Sequence, residues 1–554
     1  MNSEVSTARC HDCSIDYVIT SLDLKFLEKF DSPEPHICPA CREQRRLSFL
    51  NMLNLFRRNC DATQSPIVSS YPPDSPYKVY SQAYWYSDAF DALLFGREFD
   101  FTRTFFDQYG ELMREVPRPP LFTAFLQDEN CSYSNHSGFN KNCYMIFDTA
   151  TSRDTFYSYG LEDSRDSMES YRAVNIELCH EVIDCVGCYN SSFLQNCQNC
   201  QDSSFLLGCI GCSHCLMCVN LTHKKFHILN KPVSEEEFHR ARALLTSRNG
   251  IRDLRATFEK FAISFPRKFM EGMHNENVQG DYLVRCKNTF ESYDCRNIDE
   301  GMYCTQSFLN SKDSYCTREC GDGELFYESA NSGGGYNLRF CLYCYQSVAN
   351  LTYCDYCVNG AADLFGCFGV KGKKFCILNT QYEESEFRSL VERIVGHMKE
   401  TGEWGQPRPI SLVPFEYNIS EAMQRYPLTK EVALKKGYRW REPDQREYRT
   451  PTAQVPERLD LVTEDVTKEL FACAECAKNF KIISQELKLY RTLQVALPDK
   501  CFSCRNRERD QMRNERKLYS CLCSQCGGSL WAAKSKKWSQ QPVLCEKCFA
   551  ESLA

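Results

Sequence analysis

Two long tracts in the middle of the chain place a small or apolar residue at every third position. In the first tract this pattern runs from Cys131 to Leu221, and Asn140 is its one polar amide. Hydrophobic positions recur every 3.6 residues in an α-helix and every second residue in a half-buried strand, so a period of three matches neither. We interpret the pattern as a narrow β-solenoid, whose chain winds in short coils and turns one small side chain inward on each short face.

The larger apolar residues of this tract indicate a coil length. They recur at steps of fifteen positions or a multiple of fifteen, which predicts coils of about that length: Ile146, Leu161, Ile176, Leu206 and Leu221. The predicted thin coils resemble those of insect antifreeze β-helices. The Thr-x-Thr rows of those proteins are missing here, so their activity is not carried over.

The second tract repeats the first in a weaker form. One phase holds from Cys286 to Ser307 and then slips near Cys320, which predicts insertions. The segment KKFHILN at 224–230 recurs as KKFCILN at 373–379, and the similarity continues at the same offset beyond it, so the two tracts are duplicates. A helical pattern follows each copy, and in the second it is an apolar stripe formed by Phe387, Leu390, Val391, Ile394 and Met398.

Both ends of the chain carry cysteine pairs with metal-site spacing. Each end has a C-x2-C pair, a gap and a second C-x2-C pair, and one constant offset relates the two sets position by position. Two thiolates on one tight turn can occupy two corners of a Zn²⁺ tetrahedron. A predicted hairpin after the first pair and a helix after the second are typical of a treble-clef or zinc-ribbon module. The predicted ligands are Cys10, Cys13, Cys38 and Cys41 at one end and Cys473, Cys476, Cys501 and Cys504 at the other.

The C-terminal end carries a further predicted quartet of ligands: Cys523, Cys526, Cys545 and Cys548. Its N-terminal counterpart keeps only Cys60, and Thr63, Gln82 and Trp85 occupy the other three positions. A hydroxyl, an amide and an indole cannot replace three thiolates, so we predict no metal there. We therefore expect about three structural zinc sites, because closed four-thiolate sites supply folding energy rather than Lewis acidity.

Length and cysteine usage narrow the class of protein. A chain of 554 residues exceeds one ordinary core, so several domains are expected. The 36 cysteines fit reduced, partly metal-bound thiols better than disulfides, because disulfide-dense scaffolds are usually small and secreted. The N-terminal segment lacks the apolar core of a signal peptide, and no window has the ~18 apolar residues of a membrane span. We expect an intracellular, cytoplasmic protein.

The cysteines of the two tracts leave two interpretations open. Residues three apart in an extended strand are separated by about 10 Å, whereas sulfurs on one zinc ion lie within about 4 Å of each other. Coils stacked about 4.8 Å apart could still bring cysteines of neighbouring coils together. We favour thiols that fill a thin core as small buried side chains. The best metal candidates among them are Cys209, Cys212, Cys215 and Cys218.

The charge pattern gives only local candidates for nucleic-acid binding. The net charge of −7 carries no global basic signature. The alternative for the basic residues near the metal sites is a solvated helix face, since Glu508 and Asp510 intrude among them. The candidates follow the second C-x2-C pair at each end: Arg42, Arg45, Arg46, Arg505, Arg507 and Arg509.

No catalytic motif is present in the sequence. The P-loop, G-x-G-x-x-G, H-E-x-x-H and G-x-S-x-G patterns are missing, and the ten histidines form no recognisable signature beside a cysteine nucleophile. A redox role for C-x2-C lacks a βαβ context. We therefore predict that the protein is not an enzyme.

Several segments spread over nearly the whole chain carry a family resemblance. They are CPACREQRR at 38–46, PYKVY at 76–80, YWYSD at 84–88, GREFDFTRTFFDQYGEL at 96–112, NKNCY at 140–144, NCQNCQDSSFLLGCIGC at 196–212, GDYL at 280–283, KKFCILN at 373–379, TGEWG at 401–405 and PLTKEVALKKGYRW at 427–440. Together they resemble an uncharacterised, cysteine-rich zinc-ribbon protein family of candidate-phyla-radiation (Patescibacteria) bacteria. The resemblance implies zinc ribbons around a cysteine-rich repeat core, and it implies no activity. The 60–85 region departs from the fuller C-x2-C pair of that family.

We predict a multidomain, mainly β chain, with treble-clef or zinc-ribbon modules at both ends flanking two duplicated cysteine-rich β-solenoid-like domains, each followed by a helix. The expected order is an N-terminal zinc ribbon (1–60), a degenerate ribbon with an aromatic connector (61–130), a first repeat domain with its helix (131–250), a second repeat domain with its helix (251–400), a linker (401–470) and a C-terminal double zinc ribbon (471–554).

The function that this organisation favours is a zinc-stabilised, non-enzymatic interaction scaffold, which binds protein or nucleic acid through its zinc ribbons. The alternative is a metal- or redox-handling protein that uses the cysteines of the solenoid. We expect a protein partner, keep nucleic acid open as a second kind of partner, and expect no membrane association.

Overall fold

The computed structural model describes residues 4–124, 127–307, 310–318, 323–327, 348–442 and 448–553, with the backbone alone for 323–327. Within these residues the chain is mainly β, as predicted, with short helices between the sheets and three four-cysteine clusters. None of the described helices combines the length and the apolar character that crossing a membrane requires.

The chain divides into two compact units, and each unit is built from two separate stretches of sequence. The first unit comprises Met1–Phe122 and Met270–Pro443, and the second comprises Thr123–Phe269 and Asp444–Ala554. The N-terminal cysteine module therefore belongs to the same unit as the second repeat tract. The C-terminal cysteine modules belong to the same unit as the first repeat tract.

Short hairpins and short helices make up residues 4–115 of the first unit. In chain order they are β1 (Glu4–Arg9), β2 (Asp16–Thr20), α1 (Ser21–Lys29), α2 (Pro39–Ser48), β3 (Phe56–Asn59), β4 (Pro66–Ser69), α3 (Gln82–Tyr86) and α4 (Phe105–Glu115). β1 pairs with β2, and β3 pairs with β4, both antiparallel. A capping box of Thr20 and Asp23 begins α1. Pro39 stands in the first turn of α2, where its missing N–H has no intrahelical partner to lose.

Residues 135–232 form one sheet in which every strand lies beside the strand that precedes it in the chain. The strands are β5 (Asn135–Gly138), β6 (Tyr144–Ala150), β7 (Arg153–Tyr159), β8 (Arg165–Met168), β9 (Glu177–Ile183), β10 (Tyr189–Gln195), β11 (Ser204–Leu207), β12 (Ser213–Val219), β13 (Lys225–Ile228) and β14 (Lys231–Pro232). β5 to β13 are parallel, and β14 returns antiparallel to β13. We call residues 123–232 the first repeat stack. It is followed by α5 (Glu235–Arg242), α6 (Arg248–Ala262) and β15 (Arg267–Lys268).

Neighbouring strands of the first repeat stack are related by a constant register of twelve positions. Asn135 pairs with Phe147, and Ser204 pairs with Leu216. The coil length of fifteen expected from the large apolar residues is therefore wrong. Inward positions recur at every third residue, and fifteen is a multiple of three, so two residues fifteen apart both face inward. In a repeat of twelve, however, they do not occupy equivalent positions of successive repeats. A period of three is compatible with both lengths.

A left-handed residue precedes each inward position and turns the chain. Asn196, Asn199 and Asp202 have φ values of 53°, 50° and 52°, and the same conformation returns at every third residue through most of the stack. Asn, Asp and Gly adopt a positive φ at the lowest cost. Four such steps of three complete one repeat.

The inward side chains form hydrogen bonds with the buried backbone. The fully buried Ser203 donates its hydroxyl to the carbonyl oxygen of Gln201 (2.8 Å) and accepts the N–H of Cys215 (3.0 Å). The thiol of Cys179 lies 3.3 Å from the carbonyl oxygen of Glu177. Buried backbone groups need a partner, so a small side chain with one hydroxyl or thiol suits this interior. This explains why Ser, Thr and Cys share the inward line with Leu, Ile and Val.

Ser203 and its neighbour Ser204 provide a matched test of this role. Ser203→Ala is expected to lower the free energy of unfolding by about 1–3 kcal/mol, because it leaves a buried N–H group without a partner. Ser204 is as deeply buried, but its hydroxyl has no hydrogen-bond partner among the described residues, so Ser204→Ala is expected to cost nothing. Urea unfolding measures both variants, and an equal loss of stability in the two would contradict the role.

Outward side chains of the first repeat stack are also stacked, at the register of the strands. The ring of Phe193 lies on that of Phe205, with centroids 4.5 Å apart. The amide of Asn190 donates to the carboxylate of Asp202 (2.7 Å). The interior between Leu161 and Cys218 is one continuous cluster of cysteines and aliphatic residues.

The second stretch of the first unit contains a less regular set of parallel strands. The elements are β16 (Gly272–Met273), β17 (Glu276–Val284), β18 (Lys287–Arg296), β19 (Ile298–Met302), β20 (Ser311–Tyr315), β21 (Gly323–Tyr327), β22 (Ala349–Thr352), β23 (Ala362–Phe365), β24 (Lys374–Ile377), β25 (Thr380–Gln381), α7 (Glu384–Glu400), α8 (Glu421–Arg425) and α9 (Lys430–Lys435). We call residues 270–381 the second repeat stack. α7 buries Phe387, Ile394 and Met398 of the predicted apolar stripe.

The register of the second repeat stack explains its weaker sequence pattern. The offset between paired positions is eleven from Gly272 to Leu283, twelve in the next part and thirteen from Ile298 to Ser311. A single added residue shifts every later inward position by one, so the period of three loses its phase. The slip that we expected near Cys320 thus begins earlier, and Cys320 itself lies outside the described residues.

The C-terminal stretch of the second unit repeats the order of residues 4–69: hairpin, two helices, hairpin. Its elements are β26 (Phe471–Ala472), β27 (Asn479–Phe480), α10 (Ser484–Leu493), α11 (Phe502–Gln511), β28 (Asn514–Leu522), β29 (Ser529–Ser535), β30 (Val543–Leu544) and α12 (Glu546–Ser552). β30 pairs in parallel with β15, so this stretch is joined by backbone hydrogen bonds to the segment that follows the first repeat stack.

Candidate metal centres

The three predicted cysteine quartets each come together in space. Within each quartet the four sulfur atoms lie within 4.8 Å of one another, so each quartet could hold a metal ion, and four thiolates are typical of zinc. In the part of the chain that the structure describes, these are the groups of three or more Cys, His, Asp or Glu side chains that lie close enough to do so. The groups are Cys10, Cys13, Cys38 and Cys41; Cys473, Cys476, Cys501 and Cys504; and Cys523, Cys526, Cys545 and Cys548.

A tight turn positions the first two cysteines of each quartet. The N–H of Cys10 donates to the carbonyl oxygen of Ile15 (3.0 Å), and the N–H of Ser14 donates to the carbonyl oxygen of Cys10 (2.9 Å). Ser14 has a φ of 58°. This turn points both thiols of a C-x2-C pair to the same side. The same first bond recurs from Cys473 to Lys478 (2.9 Å), from Cys523 to Gly528 (2.8 Å) and from Cys60 to Ser65 (2.8 Å).

The second cysteine pair of each quartet lies at the start of a helix. Cys38, Cys501 and Cys545 are the residues that precede the first turns of α2, α11 and α12. The N–H groups of a first helical turn favour a thiolate, which is the form that binds metal. Hydrogen bonding from the Cys41 thiol lowers the pKa of Cys38 to about 5, although burial opposes it.

The sulfur separations suit one tetrahedral ion in each quartet. The sulfurs of Cys473 and Cys504 are 3.8 Å apart, and those of Cys476 and Cys501 are 3.7 Å apart. Sulfurs that share one zinc ion at about 2.3 Å lie within about 4 Å of each other. The third quartet is the most open, because Cys526 is exposed and Cys545 is half-buried.

The lost fourth site keeps its turn but not its ligands. Cys60 retains the backbone bonds of a knuckle, and the N–H of Ser81 donates to its sulfur (3.1 Å). Burial raises the pKa of Cys60, but hydrogen bonds from Thr63 and from backbone N–H groups outweigh it and lower the pKa to about 7. Trp85, at one of the positions without a thiolate, is fully buried and donates its indole N–H to the carbonyl oxygen of Pro117 (3.1 Å).

In the second unit, the helix that carries Cys504 packs on the first repeat stack through buried arginines. Arg505 and Arg509 both contact Glu169, at 2.7 Å and 2.5 Å, and the Glu169 side chain is fully buried. Burial lowers the pKa of Arg505, but the charge of Glu169 outweighs it and raises the pKa above its usual value. Arg513 continues the row with an ion pair to Asp184 (2.8 Å).

The equivalent helix of the first unit packs on the second repeat stack through the equivalent arginine. Arg42 donates to the hydroxyl of Tyr315 (3.2 Å), and its guanidinium lies over the rings of Tyr303 and Tyr315. The hydroxyl of Tyr315 donates in turn to Asp23 (2.8 Å). Arg42 and Arg505 follow the last cysteine of their quartets directly, so both copies use the same position to pack a cysteine module on a stack of strands.

The six arginines considered for nucleic-acid contact fall into two classes. Four of them are buried, with exposures of 2–6 %: Arg42, Arg46, Arg505 and Arg509. Each buried pair has i,i+4 spacing, so both members lie on one helix face. The remaining two pair with acidic residues of their own module, Arg45 with Asp12 and Arg507 with Glu475. The i,i+4 spacing of these pairs is the sequence feature from which an inward-facing helix face could have been predicted.

The acidic partners of Arg509 and Arg513 were not predicted from the sequence. Glu169 and Asp184 lie in the first repeat stack, far along the chain from Arg509 and Arg513, which they contact. Neither acidic residue interrupts the period of three, because both occupy the left-handed position before an inward residue, where acidic residues are common. No local pattern distinguishes them from their exposed neighbours.

The thiols inside the stacks belong to the packed core. The four metal candidates among them, Cys209, Cys212, Cys215 and Cys218, are fully buried, and they are not among the groups of described residues whose side chains lie close enough to hold a metal ion. Burial raises the pKa of Cys286 to about 11 and that of Cys376 to about 12. Burial thus disfavours the thiolate form of these two residues, whereas hydrogen bonds from neighbouring thiols lower the pKa of Cys212 and Cys218.

A shallow polar depression of about 500 Å³ lies beside α4 in the first unit. Its charged groups pair with one another: Arg97 with Glu115 (2.7 Å) and Arg103 with Glu111 (2.5 Å). Among its lining residues there is no cysteine, serine or histidine that could form a nucleophile and base pair.

Comparison of the chain with protein-family models, with curated proteins and with solved structures gives no match in any of the three.

Proposed function

We propose that this protein is a zinc-stabilised, non-enzymatic interaction scaffold. In this proposal the cysteine modules are treble-clef or zinc-ribbon folds, the two repeat stacks are β-solenoids, and the modules present the binding surfaces. The resemblance to the Patescibacteria zinc-ribbon family belongs to the same proposal. The observation that carries it is the closed arrangement of four cysteine sulfurs at each of three sites.

Closed sites favour a structural role for the metal. With four protein thiolates around one ion, no coordination position remains for water or a substrate. The helix that provides two of the four thiolates is held on a repeat stack by Arg505 and Glu169 in one unit and by Arg42 and Tyr315 in the other. The metal would then stabilise the fold of each module and hold its helix in the orientation that packing requires.

The alternative function, metal or redox handling by the interior cysteines, finds no such support. A redox or metal-exchanging thiol needs to reach solvent as a thiolate. Cys179, Cys197 and Cys215 are fully buried, and burial raises the pKa of Cys179 and Cys197. These thiols instead donate to backbone carbonyl groups of the stack.

Metal content tests the proposal directly. Protein purified without added metal is expected to contain about three zinc ions per chain by elemental analysis, one for each quartet. In the same sample, thiol-modifying reagents are expected to leave the cysteines from Cys143 to Cys218 unmodified until the protein unfolds, because all of them are buried. A large excess of metal over three ions, or iron in place of zinc, would contradict a scaffold with structural zinc and favour the alternative.

A further inference from the structure

The two copies of the cysteine module differ in charge at equivalent positions of the same fold. The hairpins β3–β4 and β28–β29 have the same register, since Phe56 pairs with Ser69 and their equivalents Tyr519 and Ala532 pair with each other. The turns that begin at Cys60 and Cys523 match as well, because the equivalent residues Gln64 and Gly527 both have a positive φ. Residues related by the offset of the cysteines can therefore be compared one by one.

Four neutral residues of the N-terminal copy are lysines in the C-terminal copy. Their side chains are all exposed in the C-terminal copy. The pairs are Ile15 and Lys478, Val18 and Lys481, Asn54 and Lys517, and Tyr71 and Lys534. Residues 471–554 contain 15 Lys and Arg against 8 Asp and Glu, a net charge of +7 in a chain whose net charge is −7.

The hairpin face that carries two of these lysines is covered in the N-terminal copy. There the amide of Asn54 donates to the carbonyl oxygen of Ile419 (2.9 Å), and the ring of Tyr71 stacks on Phe415, with centroids 4.9 Å apart. Residues 415–419 thus pack over the face, and Tyr71 is fully buried. In the N-terminal copy this face is therefore occupied by intramolecular contacts.

The same face is open and basic in the C-terminal copy. The ammonium groups of Lys534 and Lys517 lie 3.9 Å and 5.3 Å from the ring centre of Tyr519. Neither lysine forms an ion pair with a described residue, and the nearby Glu515 accepts a hydrogen bond from the Tyr519 hydroxyl (2.9 Å). The cationic groups are therefore held close to an aromatic ring and remain available to an external anion.

Trp531 adds an exposed aromatic surface on the other side of this hairpin. It is 54 % exposed and pairs across the strands with Ser520, whereas the equivalent residue of the N-terminal copy is the smaller Val68. Lysine side chains and exposed aromatic rings are the elements with which proteins bind single-stranded nucleic acid, because phosphates contact the ammonium groups and bases stack on the rings. An acidic peptide would use the charges but would have no need of the indole.

We propose that the C-terminal cysteine modules bind single-stranded nucleic acid through Lys478, Lys481, Lys517, Lys534 and Trp531. This inference rests on the proposed function, because it names the class of partner that the scaffold holds. It also assigns nucleic-acid contact to lysines of the outer hairpins rather than to the arginines that follow the cysteine pairs. Those arginines are either buried against the stacks or paired with acidic residues of their own module.

The test uses the zinc-loaded full-length protein and a fluorescent single-stranded oligonucleotide of about 15 nucleotides. Fluorescence anisotropy is expected to show binding that weakens as salt rises, because each phosphate contact releases counterions. K517A/K534A and K478A/K481A are each expected to weaken binding about tenfold and to reduce the salt dependence. W531A is expected to weaken binding about tenfold with the salt dependence unchanged.

The matched control places the same change of net charge on the other copy. I15E/V18E alters the chain by −2, as each lysine-to-alanine pair does, at equivalent positions that are 66 % and 42 % exposed. This variant is expected to bind the oligonucleotide as the unaltered protein does. An equal loss of binding in I15E/V18E would overturn the assignment, since only overall charge would then matter.

Two further outcomes would also overturn this inference. If polyglutamate competes as well as the oligonucleotide and W531A changes nothing, the surface binds acidic protein instead. If protein with three bound zinc ions fails to bind the oligonucleotide even at low salt, the inference is wrong while the scaffold proposal stands. Zinc content is measured on the same samples, so a protein without zinc would refute the scaffold proposal separately.

Discussion

Replacing Cys501 and Cys504 with serine is expected to release one zinc ion and to unfold the module that contains α10 and α11. Both thiols belong to the second quartet, whose remaining members are Cys473 and Cys476. Two thiolates cannot hold zinc as four do, and structural zinc contributes an apparent free energy of about 10–16 kcal/mol at neutral pH. A domain has a net stability of only about 5–15 kcal/mol. The loss of the ion is therefore large enough to unfold the module.

Elemental analysis and hydrogen exchange measure this effect together. The zinc content of C501S/C504S is expected to fall from about three ions per chain to two, and the amides of residues 471–511 are expected to exchange as in an unfolded chain. Cys60→Ser is the matched control, because Cys60 is the equivalent of Cys523 in the copy that has lost its other ligands. Its zinc content is expected to remain unchanged. Zinc loss from C60S, or full retention by C501S/C504S, would refute the assignment of the ligands.

The three cysteine quartets could be predicted from sequence because the geometry of each C-x2-C pair is local. A C-x2-C turn brings two thiols together within one short segment, as the bond from Cys10 to Ile15 shows, whatever the rest of the chain does. Because the module is duplicated, each C-x2-C pair at one end of the chain also identifies its equivalent at the other end. The same local reasoning sets Cys60, whose partner positions hold Thr63, Gln82 and Trp85, apart from the complete quartets.

The repeat length could not be obtained in the same way. Small residues at every third position establish that each step of three turns one side chain inward, but they do not show how many steps complete a repeat. The register of twelve appears in the sequence only through outward residues, such as the stacked Phe193 and Phe205 or the linked Asn190 and Asp202. Those pairs form between neighbouring strands, so their spacing in the sequence equals the repeat length, which the spacing of the inward residues does not reveal.

The feature that could least be predicted from the sequence is which distant segments combine into one unit. The N-terminal module packs with strands of the second repeat stack, as Arg42 and Tyr315 show, and the C-terminal module packs with strands of the first, as Arg509 and Glu169 show. Each contact depends on single side chains, and charged and aromatic residues are common at such positions, so nothing in the sequence marks them as partners. The i,i+4 arginine pair is present in both modules, but only the fold shows that these arginines pack a helix on a repeat stack.

Glu169→Ala is expected to lower the free energy of unfolding of the second unit by about 3–5 kcal/mol, because it leaves Arg505 and Arg509 buried without their shared carboxylate. An unpaired buried charge costs about this much. The Arg505 side chain also lies over the ring of Tyr157, so it cannot leave the interior without disturbing that contact. Urea unfolding, followed by hydrogen exchange in residues 165–195, measures the loss.

Two comparisons show whether burial of the charge is the cause. Arg507 forms an equivalent ion pair with Glu475, but on the solvent side of the same helix, so Glu475→Ala is expected to leave the unfolding transition unchanged. Replacing all three buried groups, as E169M/R505M/R509M, is expected to restore most of the stability, because none of these three charges is then left buried without its partner. If E169A unfolds as the unaltered protein does, Glu169 does not hold the C-terminal module on the first repeat stack. If the triple variant is no more stable than E169A, shape rather than charge balance holds the two together.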